Sequence, residues 1–263
     1  LKICERFRFI NSHFDKIIIS YSGGKDSECL LSLALKYLPH EKITVYTMHS
    51  DLRDIFTFNH IEKRHNELRI AGISTILDVS RDDYLGYIDW DENKPIHKKP
   101  LIGYDNGAIW TDFKKMCKET LRQHGLLDNR SCQILGLRGR ESLNRYRATI
   151  TERKGNFQGI TWSTVGNPTY FYPIYDFTAP DVIVECGENL NPVYHIYYQF
   201  GFREARMRVG AFPIDGGVYS HLKNGDFWRQ VAPEFYSKIS KYFDFCEKKK
   251  FRRILPEDAK IIF

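Results

Sequence analysis

The first clear hydrophobic signal along the chain is the β-branched run Lys16-Ile17-Ile18-Ile19-Ser20, which stops at Tyr21-Ser22-Gly23-Gly24. Beyond it Leu30, Leu31, Ala34, Leu35 and Leu38 recur at helical spacing, so the order is strand, glycine turn, helix. The pattern repeats. Residues 43–48 predict a second strand, 54–71 a charged amphipathic helix, and 74–79 a third strand after the break at Gly72. Strands alternating with helices predict a parallel sheet covered on both faces. Residues 81–111 interrupt this rhythm with Asp82-Asp83, Asn93-Lys94-Pro95 and Lys98-Lys99-Pro100 turns, and read as an insertion over the sheet edge. A helix near 112–124 ends at Gly125. The apolar run 132–137 then predicts a buried strand carrying Arg138-Gly139-Arg140-Glu141-Ser142 at its C-terminal end, where open α/β sheets bind ligands.

Past residue 150 the pattern turns irregular and aromatic, with Trp162, Tyr170, Phe171, Tyr172, Tyr175 and Phe177 among Gly and Pro. Thr178 is placed to N-cap a helix over 179–186. Val193, Ile196, Tyr197 and Phe200 form one face of another that stops at Gly201. A last helix carries Phe227, Val231, Phe235, Ile239, Phe243 and Cys246 on one stripe, followed by Glu247 and Lys248-Lys249-Lys250. There is no internal repeat and no flexible linker. The chain therefore divides into an α/β core over 1–150 and a C-terminal extension over 151–263 packed on it.

Composition narrows the classes. With 263 residues, 42% hydrophobic and 27% charged, the chain is not a disordered tail protein. Lys+Arg 39 against Asp+Glu 33 gives +6, which suits an anionic ligand but is too diluted to establish a nucleic-acid binder. Cys4, Cys29, Cys117, Cys132, Cys186 and Cys246 include no CxxC pair, so neither a structural zinc nor an Fe–S cluster is expected. A reduced, cytoplasmic, soluble protein without membrane contact is expected, since no run approaches about 18 apolar residues and Leu1 begins no signal peptide.

The candidate chemistry begins at Ser22-Gly23-Gly24-Lys25-Asp26-Ser27, between the first strand and the first helix. Two glycines let backbone N–H groups turn inward, Ser22 and Ser27 bring hydroxyls, Lys25 adds charge, and the helix dipole favours an anion there. Four arginines, Arg138, Arg140, Arg145 and Arg147, fall within ten residues from the strand end near 137. Guanidinium forks match phosphate or sulfate, and Glu141 is placed to orient one of them. Asp51, just after the second strand, is open to two readings: a Mg²⁺ or ribose ligand, or a helix N-cap. His49 reads as structural rather than as a general base.

The loop is not a Walker A sequence. It resembles the SGGxDS "PP-loop" of the N-type ATP pyrophosphatase and phosphoadenosine phosphosulfate (PAPS) reductase superfamily. Gly136-Leu137-Arg138-Gly139-Arg140-Glu141-Ser142 with Arg145 is similar to that group's GxRxxES…R element. Tyr172-Pro173-Ile174-Tyr175-Asp176-Phe177-Thr178 looks like its YPI-x-D-W-T stretch with Phe177 in place of Trp. The order of later segments, to about residue 212, resembles the branch that includes the immunoglobulin-binding-regulator A proteins. The resemblance implies a Rossmann-like (HUP-type) fold with a five-stranded parallel sheet and flanking helices, followed by an irregular plus helical C-terminal extension in which 170–212 is family-like. It implies ATP or PAPS on Ser22, Gly23, Gly24, Lys25, Asp26, Ser27, Asp51, Arg138, Glu141 and Arg145, with Lys25, Asp26 and Arg138 catalytic and Mg²⁺ on Asp26 and Asp51.

The chain also departs from the reductases it resembles, because Glu257-Asp258-Ala259-Lys260-Ile261-Ile262-Phe263 holds no nucleophilic Cys. Glu185-Cys186-Gly187 lies mid-chain instead, where a buried structural thiol is the simpler reading. The expected function is cleavage of ATP between the α and β phosphates, as pyrophosphatase or adenylyltransferase, to activate an acceptor brought by a partner. The alternatives are PAPS or adenylyl-sulfate chemistry with an external thiol, and a nucleotide-sensing regulator without turnover. Arg203, Arg206, Arg208 and the run 248–253 leave nucleic-acid contact open.

Overall fold

In the computed structural model of the chain the described residues are 2–49, 53–79, 117–141, 145–146, 160–161, 169–201, 225–237 and 240. The insertion expected at 81–111, Asp51, Arg203, Arg206, Arg208, the helix positions past 240 and the basic run 248–253 lie outside them.

Helix α1 (Ile3–His13) precedes strand β1 (Lys16–Ser20), helix α2 (Lys25–Tyr37), β2 (Ile43–His49), α3 (Ile55–Ile70) and β3 (Ser74–Val79). A helix over 117–123 (α4) leads to β4 (Ser131–Leu135). Then come β5 (Ile160–Thr161), β6 (Thr169–Phe171), α5 (Ala179–Cys186), α6 (Val193–Gln199) and α7 (Gly225–Val231). The sheet order is β3-β2-β1-β4-β6-β5. β1 pairs in parallel with β2 (Ile17 opposite Ile43) and with β4 (Ile17 opposite Cys132), and β4 pairs in parallel with β6. The five-stranded parallel sheet is thus present, its fifth strand being β6, and the two-residue β5 adds an antiparallel edge.

Three consecutive fully buried isoleucines, Ile17, Ile18 and Ile19, make β1 the centre, because a strand covered on both faces has no polar side to alternate with. Each contributes about 1.5–3 kcal/mol by leaving water. Connections run from β1 to β2 and β3 on one side, and β4 begins the other side. The order in which strands are added reverses between β1 and β4, and the C-terminal ends of these two parallel strands are where such a sheet exposes backbone to a ligand.

By contact grouping, residues 1–48, 56–78 and 120–197 form the unit built on this sheet. Within it Phe7 of α1 stacks on Tyr37 of α2, and α5 packs along α2. The second unit takes 49–55, 79–119 and 198–263; its described part holds an aromatic nest in which Trp228 meets Phe227 and Phe235 edge-on at 4.8 Å. The single stripe predicted over 227–246 is not one helix. α7 ends at Val231 and a further helix runs over 233–237, because Pro233 has no N–H to continue the ladder. Among the described residues no helix is long and apolar enough to cross a membrane.

Candidate functional site

β1 ends at Ser20, and the chain turns through Gly23 at φ +74°, a conformation that favours glycine. Space enforces the same choice, since a Cβ on Gly23 would lie 2.7 Å from Cγ1 of Ile61. Gly24 then occupies the N-cap of α2 with no side-chain cap. The serines stitch the turn: the Ser27 hydroxyl donates to Gly24 O at 2.9 Å and accepts from Ser22 N at 3.2 Å, with Ser22 Oγ 3.1 Å away. The loop after β4 comes equally close. β4 leaves the ladder at Leu135 rather than 137, and a Cβ on Gly136 would lie 2.6 Å from Asp26 O.

This approach assembles the charged residues. Lys25 Nζ reaches Asp26 Oδ2 at 2.6 Å, and Arg138 Nε reaches Asp26 Oδ1 at 2.5 Å. Lys25 and Arg138 are 3% and 2% exposed, and the shared Asp26 carboxylate offsets part of the cost of burying both charges. Arg138 also donates to Phe177 O at 3.4 Å and lies 3.8 Å from Glu141, which pairs with Arg145. The cluster lies at the N-terminal end of α2, where the helix dipole and the orphan N–H groups favour an anion. Lys25, Asp26, Arg138, Glu141 and Arg145 are therefore brought together with Ser22, Gly23, Gly24 and Ser27. Asp51 lies outside the described residues, as does the side chain of His49.

Several residues around the loop escaped the sequence reading. Glu28, fully buried one turn into α2, accepts from the Tyr21 hydroxyl at 2.6 Å, lies 2.8 Å from Arg64 Nη2 and has His60 Nε2 at 3.3 Å. Burial, then the Glu28 charge, pushes the Tyr21 phenol well above its usual range. Burial alone would lower the Arg64 pKa, but Glu28 and Glu67 outweigh it and raise it. The buried face of α3 is thus partly polar, where an amphipathic pattern assigns charge to solvent. Asn191 and Tyr194 reach the loop backbone: Asn191 Nδ2 donates to Gly23 O at 2.9 Å, and Lys25 N donates to the Tyr194 oxygen at 3.2 Å. The one signal in the sequence was their place in the aromatic segment after 170.

Cys186 Sγ donates to Lys25 O at 3.1 Å and is 1% exposed; burial, with Glu28 and Asp26 charge behind it, pushes its pKa up to about 12. A thiol held protonated is a poor nucleophile, and the buried Cys186 is placed as a packing residue. Among the described residues no group of three or more His, Cys, Asp or Glu is arranged to hold a metal ion.

The chain is similar to several known proteins. The chain is 24% identical over 260 residues to a protein of Escherichia coli (strain K12), "Uncharacterized protein YbdN", the match covering 87% of this chain and 63% of that one. The chain thus spans less than two thirds of that relative's length. Among solved structures it is similar to the PAPS reductase of Candida auris in a phosphate complex, at TM-score 0.49 and 13% identity over 78% of this chain and 87% of that one. It is also similar to the NH3-dependent NAD synthetase of Campylobacter jejuni, at TM-score 0.44 and 13% identity over 97% of each chain. A third is the U34-tRNA thiolase of Methanococcus maripaludis with its [4Fe-4S] cluster, at TM-score 0.43 and 13% identity over 94% of this chain and 80% of that one. The family model described as the phosphoadenosine phosphosulfate reductase domain matches residues 16–214, a span that includes the glycine loop, both arginines of the cluster and Asn191, and the chain belongs to that family.

Proposed function

We propose that the chain is an adenine-nucleotide enzyme that cleaves ATP between the α and β phosphates and passes the adenylyl group to an acceptor. The observation that carries this reading is the pair of buried cations, Lys25 and Arg138, fixed on Asp26 beside the N-terminus of α2. Charge develops on the departing β,γ-pyrophosphate as a nucleophile attacks the α-phosphorus. Cations and amide dipoles already in place stabilise that charge without reorganising. Ser22, Gly23, Gly24 and Ser27 would hold phosphate oxygens, Glu141 and Arg145 would flank them, and Asp51 would take the ribose. Water as nucleophile gives AMP and pyrophosphate; an acceptor oxygen or nitrogen gives an adenylylated product and pyrophosphate. The acceptor would come from a protein or nucleic-acid partner.

Magnesium enters as the ion the triphosphate carries. Both Asp26 oxygens already face cations, so Asp26 does not fit a resident divalent ion in this arrangement. Membership of the PAPS reductase family supports a second reading, in which an external thiolate attacks the sulfonate sulfur of PAPS and releases 3′,5′-ADP. Buried Cys186 would not supply that thiolate.

The test is incubation with α-labelled MgATP, resolving AMP, ADP, pyrophosphate and labelled protein, beside Ser22→Ala and Lys25→Met variants whose folding is checked by thermal melting. AMP and pyrophosphate, reduced about 100-fold or more in Lys25→Met, are expected. Binding without product would overturn acceptor-independent cleavage of ATP: displacement by PAPS then favours the second reading, and indifference to PAPS leaves a nucleotide sensor or an enzyme that requires its acceptor.

A further inference from the structure

We infer that Asn191 is a positioning residue of the 22–27 loop, the side chain that sets which way the Gly24 N–H faces. The role of that N–H as an anion donor rests on the nucleotide reading above; the orientation itself does not. Asn191 is fully buried between β6 and α6 in sequence, and its carboxamide joins three separate pieces of chain. Nδ2 donates to Gly23 O at 2.9 Å and to Thr57 Oγ1 of α3 at 3.1 Å, while Oδ1 accepts from Val193 N at 3.0 Å, at the start of α6. The amide has one workable orientation. Turned over, its oxygen would face the Gly23 carbonyl and its NH₂ would face the Val193 N–H.

The consequence follows from peptide planarity. The described residues contain no cis peptide bond, and in a trans peptide the carbonyl of one residue and the N–H of the next point in opposite directions. Drawing Gly23 O toward Asn191 therefore turns Gly24 N–H away from it, toward Ser22 Oγ at 3.4 Å and the open end of α2. A Gly-Gly peptide lacks the Cβ atoms that would otherwise limit its rotation, so this is the peptide in the loop most in need of an outside anchor. Tyr194 and Cys186 hold the peptides that follow, at the Lys25 amide and carbonyl.

Asn191 also caps α6 through Val193 N, and the test must separate the two roles. Asn191→Ser retains a capping oxygen but is too short to reach Gly23. In the ligand-free protein, hydrogen exchange by NMR is expected to quicken about tenfold or more at Gly24 and its loop neighbours in this variant, with β1 and β4 amides unchanged. Pyrophosphate and MgATP affinities, by calorimetry, are expected to weaken about tenfold or more while the melting temperature stays within a few degrees. Loop exchange and affinities equal to wild type would reduce Asn191 to a cap and overturn the inference. If the wild type binds neither probe, the nucleotide reading falls, and the exchange data alone decide the orientation role. Should Asn191→Ser fail to fold, the wild-type carboxamide decides: both protons exchange slowly if bonded to Gly23 and Thr57, and fast exchange overturns the inference.

Discussion

His65 carries a buried imidazole whose protonation state can be read from its neighbours. The Thr47 hydroxyl donates its one proton to Tyr21 O at 2.8 Å, so at 2.8 Å from His65 Nε2 it accepts, which fixes the neutral Nε2–H tautomer. Nδ1 is buried with no hydrogen-bond partner among the described residues, and a proton there would face none. Burial first, and Arg69 second, push the pKa of the ring down to about 4. An unfolded histidine titrates near about 6.5, so between about 6.5 and 4 the unfolded chain binds the extra proton and the folded one does not. Stability contributed by the neutral ring is complete above that window and lost as pH falls through it, on the order of 3 kcal/mol. Urea unfolding from about pH 7 to pH 4.5 is expected to show this loss, and His65→Gln, which still offers Thr47 an N–H, is expected to flatten the slope while lowering stability at pH 7. An unchanged slope in the variant would mean the ring titrates as if exposed.

At the scale of elements, α1 holds the turn that positions the end of β4. Arg6 donates to Pro173 O at 2.5 Å and in a fork to both oxygens of Asp176 at 2.7 and 2.6 Å, with its guanidinium 4.4 Å from the centre of the Tyr175 ring. Tyr175 O in turn accepts from Gly139 N at 2.8 Å, next to Arg138. Arg6→Met is expected to cost about 2–3 kcal/mol in urea unfolding, and Arg6→Lys to recover only part of it because an ammonium cannot make the fork. A loss below about 0.5 kcal/mol would show that α1 is held by apolar contact alone. Neither α1 nor this staple was read in the sequence, although Phe7, Ile10 and Phe14, buried in the structure, fall at helical spacing; Arg6 is buried beside them. β1 and β4 were legible as continuous apolar runs, β2, β3 and α3 by the breaks that bound them, α2 by its helical period, and the loop because its glycines fall between a strand and a helix. β5 and β6, at two and three residues, are too short for alternation to appear. Of the candidate site, Asp51 lies outside the described residues, while the loop and charged residues that the structure brings together were legible by type and position. Their supports were not, since Glu28 with Arg64, and Asn191 with Gly23, meet only after distant segments pack.

Across the whole molecule, the formal charge of +6 is a weak guide to what binds, because it is a small excess over many charges that sit in local ion pairs and add nothing to it. Lys16 pairs with Asp128 at 2.8 Å, Arg130 with Asp15 at 2.5 Å, and Arg6 with Asp176 at 2.6 Å. Lys25 and Arg138 differ in kind: they are buried, held on Asp26, and act on an anion only at contact distance. Mobile ions screen exposed charges beyond a Debye length of about 8 Å at physiological salt, but reach buried ones poorly. Raising KCl from about 50 to about 300 mM is therefore expected to weaken MgATP binding less than about threefold. A nucleic acid held by about five phosphate contacts on the molecular surface would lose about 10³-fold over the same range. Calorimetric titration of MgATP and fluorescence titration of a labelled duplex at both salts measure the two slopes. If ATP affinity fell as steeply as a polyelectrolyte's, capture would belong to the surface charge, and the buried pair at the β1–β4 crevice would not be the anion site.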